Sequence, residues 1–143
     1  MPTWSDTALE QLREAGYRAG AARRAVVELL AGEDCCLTAQ EIHDRLRAAG
    51  RRVGIASVYR SLDLLVERRL VQRVDLGAGV ARFEAAQVDG HHHHLFCGDC
   101  GKVEAFSDES LERAIHGVAG RVGYAVAAHE VVLHGACTDC RAG

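Results

Sequence analysis

The sequence predicts an α+β chain in two parts: a winged helix-turn-helix over residues 1–85 and an α/β unit over residues 86–143. Three observations carry this expectation. Stretches of helical spacing fill the chain up to Val71, where the apolar period changes to two. Two Cys-x-x-Cys pairs, Cys97/Cys100 and Cys137/Cys140, lie 40 positions apart. Four consecutive histidines, residues 91–94, stand just ahead of the first pair.

The elements follow in order. Ser5 is expected to cap a first helix, with Trp4 stapled onto Leu9 and an apolar face of Leu9 and Leu12 ending near Gly16. A second helix is expected from Ala21 to Ala31, turning Val26, Val27, Leu29 and Leu30 inward and stopping at Gly32. Thr38-Ala39-Gln40-Glu41 reads as a capping box, with Leu37 stapled onto Ile42, and opens a helix that ends at Gly50. A fourth helix over Ser57–Arg69 carries Val58, Leu62 and Leu65 inward and presents Ser57, Tyr59, Arg60, Ser61 and Asp63 outward. Val71–Leu76 and Val80–Ala85, joined by Gly77-Ala78-Gly79, then form a hairpin. Helices followed by a two-stranded wing place the last helix in the DNA major groove with the hairpin beside it. Small helical domains also bind proteins, and this pattern alone leaves that alternative open.

In the second part, Lys102–Phe106 reads as a strand. A helix capped by Ser107 follows, with a buried stripe of Leu111, Ile115, Val118 and Ala119. Gly120 and Gly123 are expected to break it before strands at Tyr124–Ala128 and Glu130–His134. An open edge of such a small sheet suits pairing across a symmetry axis, and hence a dimer.

With 143 residues, 48% hydrophobic and 26% charged, the chain is too short for a large multidomain enzyme and too apolar for a disordered one. No apolar run has the length of a membrane span, and Met1-Pro2-Thr3-Trp4-Ser5-Asp6 lacks the basic-then-apolar order of a signal peptide. A cytoplasmic protein without membrane contact is expected. Charge is uneven. Residues 1–88 hold 13 arginines and no lysine against 12 acids, whereas residues 89–143 hold 4 basic and 8 acidic groups. Arginines 18, 23 and 24, near the start of the second helix, supply forked donors for phosphate or form a solvated face.

The cysteine pairs, each in a turn rich in small residues, can complete a tetrahedral four-thiolate zinc site with no open position, which makes it structural. Thioredoxin-like redox chemistry would need one pair at a helix N-terminus, and neither pair is expected to open a helix. On a strand, His92 and His94 face one side and His91 and His93 the other, so one run can serve two metal sites. A zinc deaminase would need a His-x-Glu and a Pro-Cys-x-x-Cys, and the only proline is Pro2. No enzyme is expected.

The winged helix followed by His91-His92-His93-His94-Leu95-Phe96-Cys97-Gly98-Asp99-Cys100-Gly101-Lys102-Val103 resembles the ferric uptake regulator (Fur) family. The resemblance extends over nearly the whole chain. It includes Gly54-Ile55-Ala56-Ser57-Val58-Tyr59-Arg60, Phe83-Glu84 and the closing Cys137-x-x-Cys140. It implies a homodimeric, metal-dependent repressor that binds a palindromic operator in double-stranded DNA and controls metal-uptake or stress genes. Three metal sites are implied. Cys97, Cys100, Cys137 and Cys140 match a structural zinc site. Glu84, His92 and His94 match a regulatory site at the interdomain hinge. His91, His93, Glu112 and His129 match a site within the dimerisation domain. Tyr59 and Arg60 match DNA-contacting positions and Arg18 a residue that approaches the minor groove; Ser57 and Arg23 complete the expected DNA-binding set.

Two departures bear on the metal. Cys36 stands where iron-type members commonly carry a hinge histidine, and Ala105 replaces the aspartate of peroxide-sensing members. A thiolate with two imidazoles and a carboxylate suits tetrahedral zinc, while Phe83-Glu84 resembles iron-type members. Zinc and iron(II) are therefore the candidate regulatory ions, with manganese(II) a third. Cys35 as the metal-facing residue, and Cys36 as a small buried one, are the alternatives at that position. A metal-storage or protein-interaction module with the same His/Cys sites and no DNA binding is the competing function.

Overall fold

A computed structural model, describing residues 1–18, 20–77, 79–86 and 92–142, divides the chain into two compact units, Met1–Gln87 and Val88–Gly143. In the first unit, α1 (Trp4–Glu14) is capped by Thr3 rather than Ser5: Thr3 Oγ1 accepts from the Asp6 N–H at 3.2 Å, and Asp6 Oδ2 accepts from the Thr3 N–H at 3.1 Å. Trp4 thus begins the helix. Its indole N–H donates to the Leu70 carbonyl at 3.1 Å, tying α1 to the chain that enters the hairpin.

Helix α2 (Ala21–Ala31) buries Ala25, Val26, Val27 and Leu30, with Leu29 half-buried. A two-residue strand β1 (Leu37–Thr38) precedes α3 (Ala39–Ala48), whose capping box is complete: Glu41 N–H to Thr38 Oγ1 at 3.0 Å, and Thr38 N–H to Glu41 Oε1 at 3.1 Å. Helix α4 (Ile55–Glu67) starts two residues earlier than the sequence predicts, at the N-cap Gly54. Val58, Leu62 and Leu65 are fully buried, and so, nearly, is Ser61, which the sequence pattern had placed on the outer face. At 100° per residue, Ser61 falls between Leu64 and Leu65 on the inward arc, and its small side chain is tolerated there.

The hairpin β2 (Val71–Asp75) and β3 (Ala81–Ala85) pairs Arg73 opposite Phe83, and β1 joins the outer side of β3, giving the order β1-β3-β2. Strand β1 went unforeseen because two residues carry no period. It sets Leu37 opposite Phe83, so the same antiparallel register carried one step back brings Cys36 level with Glu84. Leu12, Leu30, Ile42, Leu46, Leu62 and Leu65 fill the core between these helices and the wing.

The second unit comprises β4 (His93–Cys97), β5 (Val103–Phe106), α5 (Glu109–Val122), β6 (Val132–Gly135) and α6 (Thr138–Arg141), with strand order β5-β4-β6. The α5 cap is Asp108, whose Oδ1 accepts from the Leu111 N–H at 2.9 Å, and not Ser107. The helix passes through Gly120 and stops at Gly123, whose φ of +75° is the left-handed conformation that glycine accepts without strain. Tyr124–Ala128 is no strand; among the described residues the sheet of this unit consists of β5, β4 and β6. The expected α5 stripe is only half covered: Leu111, Ile115 and Ala119 are half-buried and Val118 is 47% exposed. Val118, Val122, Tyr124, Val126 and Leu133 leave apolar surface open in the single chain.

The α3 capping box is the most direct test of this fold. Thr38→Ala should lower stability by about 1 kcal/mol in equilibrium denaturation, and Thr38→Ser should recover most of it.

Candidate metal centres and nucleic-acid interface

Parallel pairing of β4 with β6 sets Cys97 level with Gly135, and the chain leaving β6 reaches Cys137 two residues later. The turn after β4 returns Cys100 and closes through the Gly101 N–H on the Cys97 carbonyl at 2.9 Å, with Gly101 at φ +78°. The four sulfurs of Cys97, Cys100, Cys137 and Cys140 lie within 4.8 Å of one another, and Cys100 and Cys137 are 3.8 Å apart. Two thiolates held at ~2.3 Å by one tetrahedral ion would stand roughly 3.8 Å apart, so the donor set fits zinc. Cys137 does open a helix, contrary to expectation, but α6 has four residues and the thiol faces three others.

The thiols are not equivalent. Backbone N–H groups, that of Cys137 first (3.3 Å to Sγ) and then those of Cys100 and Asp99, stabilise the Cys97 thiolate and bring its pKa down to about 6. Cys140, whose proton is shared with the sulfurs of Cys137, Cys97 and Cys100, is pushed up to about 12. The lowered Cys97 thiol favours metal binding, since each ligand must shed its proton when an ion binds.

A second group uses one face of β4. His93, 1% exposed, approaches Glu112 Oε1 at 2.6 Å through Nε2, and His129 Nε2 approaches Oε2 of the same carboxylate at 2.7 Å. The Val131 N–H donates to His93 Nδ1 at 3.2 Å, which in neutral imidazole leaves the ring proton on Nε2, pointing at Glu112. Two imidazoles on one carboxylate suit a divalent ion that displaces that proton. His91, expected to join this group, lies outside the described residues. On the other face of the strand, the His92 and His94 rings are 5.1 Å apart, and His94 is buried.

The first unit holds a third group. Cys35 and Cys36 place their sulfurs 3.9 Å apart, both within 4.8 Å of a Glu84 carboxylate oxygen. The proton shared with Cys35, then burial, then the charges of Cys35 and Glu84 hold the Cys36 thiol well above the usual range, against the opposing pull of Arg82. The sequence left Cys35 and Cys36 as alternatives; the structure brings both to Glu84. The signal for this was present only in their adjacency.

The expected DNA-binding residues converge as well. Arg18, Arg23, Ser57 and Arg60 line a depression of about 290 Å³ that, among the described residues, no acidic side chain lines. Arg23 Nη1 donates to the Arg18 carbonyl at 2.8 Å and Arg60 Nη2 to Ser57 Oγ at 3.0 Å, while the Arg23 guanidinium sits 5.5 Å from the Tyr17 ring centroid. The helices α2 and α4 start at Gly20 and Gly54, neither of which supplies a side-chain cap, so their positive ends stay available to an anion. Tyr59, 51% exposed, projects from α4.

Residues 14–134 match the model of the ferric uptake regulator family. The chain is 36% identical over 133 residues to the ferric uptake regulation protein of Klebsiella pneumoniae, covering 91% of this chain and 85% of that one. The crystal structure of the Vibrio cholerae ferric uptake regulator superposes with a TM-score of 0.81 at 31% identity, over 90% of this chain and 98% of that chain. The Helicobacter pylori ferric uptake regulator shares the fold with a TM-score of 0.84 at 24% identity, over 99% of this chain and 97% of that chain.

The unequal thiols give a signed pH dependence. In metal-stripped protein the folded state holds the Cys97 pKa at about 6, below its ordinary value of 9.0, so its contribution is full above pH 9 and fades as pH falls through 6. Thermal melts between those limits should show stability rising with pH, and Cys97→Ser should flatten the rise.

Proposed function

Because the chain belongs to the ferric uptake regulator family, we propose that this metal-responsive transcriptional regulator represses metal-homeostasis genes by binding palindromic double-stranded DNA as a homodimer. The observation that carries the reading is the acid-free depression where three arginines and Ser57 meet the open N-termini of α2 and α4. Such a surface suits a phosphate backbone, with Tyr59 and Arg60 on the helix that enters the groove. Residues 1–85 serve as the DNA-binding domain and residues 86–143 as the dimerisation domain. The exposed apolar residues Val118, Val122, Tyr124, Val126 and Leu133 support the latter role, and the Tyr124–Ala128 segment is free to pair with its counterpart.

Cys97, Cys100, Cys137 and Cys140 hold a structural zinc ion. The regulatory ligands are Glu84 and Cys36 from the first domain and His92 and His94 from the second, with zinc or iron(II) as the ion and manganese(II) as a third candidate. His91, His93, Glu112 and His129 form the additional site. When bound at the regulatory site, the ion supplies a cross-link between ligands carried by different domains. The ligand side chains then restrict how the two recognition helices project, favouring the spacing of two half-sites. Metal and operator must tighten each other's binding by the same factor. Among the described residues no helix is long and apolar enough to cross a membrane, and the role is that of a non-enzymatic cytoplasmic regulator.

Fluorescence anisotropy on a labelled palindromic operator tests this. Metal-loaded protein should bind, and falling salt should strengthen binding steeply through arginine-phosphate contacts. Protein chelated to its structural zinc alone should bind at least about fivefold more weakly. Equal affinity of the two forms, or the absence of salt-sensitive binding, defeats the reading in favour of a metal-storage module. Arg60→Ala should weaken operator binding by about 1–3 kcal/mol while leaving the dimer and its metal content unchanged.

A further inference from the structure

Adjacent residues of an extended strand send their side chains to opposite faces. Cys35 and Cys36 do otherwise. They lie in a bend just ahead of β1, and both sulfurs turn to the same side, towards Glu84. Cys36 and Glu84 are 5% and 7% exposed, and Cys35 is half-buried. The spacing is informative. The sulfurs stand 3.9 Å apart, close to the 3.8 Å between Cys100 and Cys137 in the four-cysteine cluster. Two thiolates on one tetrahedral ion at ~2.3 Å are separated by roughly 3.8 Å.

We propose that Cys35 and Cys36 are both thiolate ligands of the regulatory metal, alongside Glu84, and that this pair makes the site select zinc over iron(II) and manganese(II). The inference rests on the regulator reading and refines it with a metal class and a four-ligand set in which Cys35 takes the place of one of the two histidines. Soft thiolates favour zinc, whereas carboxylate and imidazole sets leave iron(II) and manganese(II) competitive. Two thiolates and a carboxylate also offer three negative charges in a buried pocket, which compensate the desolvation of a divalent ion. Each thiol passes its proton to solvent as the ion binds, and no electrons move.

The test uses the full chain, kept free of oxygen, with zinc in the four-cysteine cluster and one equivalent of cobalt(II) as the probe. Tetrahedral visible bands and sulfur-to-cobalt charge transfer are expected. The charge transfer should fall by about half in Cys35→Ser and in Cys36→Ser and vanish in the double variant. Zinc should displace the cobalt where equal iron(II) or manganese(II) does not. Cobalt-edge X-ray absorption of the unsubstituted protein should count about two sulfurs, a readout that needs no variant to fold. An octahedral cobalt spectrum, or charge transfer untouched by Cys35→Ser, overturns the two-thiolate assignment and leaves the repressor reading standing. Two sulfurs on cobalt in a protein whose operator affinity ignores metal upholds the assignment while the repressor reading falls.

Discussion

A strand must send successive side chains to opposite faces, and in this protein the placement of nearly all the candidate metal ligands of the second unit follows from that constraint acting on β4. The strand is central, flanked by β5 and β6. One face gives His93 to Glu112 and His129; the other gives His94, next to His92. Its last residue, Cys97, is aligned by the parallel register with the start of the chain that delivers Cys137 and Cys140. A one-residue slip of β4 would exchange its faces and move Cys97 away from its partners together. Five residues therefore place candidate ligands in more than one cluster, and the hydrogen bonds to β5 and β6 fix them.

Much of this was legible in the sequence where a local rule has no competitor. The Thr38/Glu41 capping box and the bounds of α2 follow from short-range chemistry that tertiary structure had no reason to override. The alternation of residues 92–94 needs only that they be extended. The errors share a different cause. Thr3 and Ser5 are both competent caps, as are Ser107 and Asp108, and which one wins depends on where the following helix packs. Ser61 looked outward because polar residues usually are; its burial follows from its place between Leu64 and Leu65 on the inward arc of α4. Strand β1 exists only because β3 is there to receive it, and no pattern in two residues announces that.

The candidate sites divide in the same way. The four-cysteine set is written as two spaced pairs, and spacing is visible in one dimension. The approach of Cys35 to Glu84 is not, since it depends on a bend that reverses the usual alternation of neighbours. The half-covered α5 is a further case. Its apolar stripe has helical spacing, but a unit of three short strands and one long helix has too little surface to enclose it, so the stripe remains partly open in the single chain.

The bond from the Trp4 indole to the Leu70 carbonyl has a practical consequence. Trp4 is the only tryptophan in the chain, and its partner lies in the same unit. Emission excited at the red edge of the near-ultraviolet band therefore monitors the winged helix while remaining blind to the cysteine-rich half. Loss of that docking exposes the ring to water and shifts its fluorescence to longer wavelength. An unaltered copy of the protein thus carries its own optical reporter for telling which half melts first.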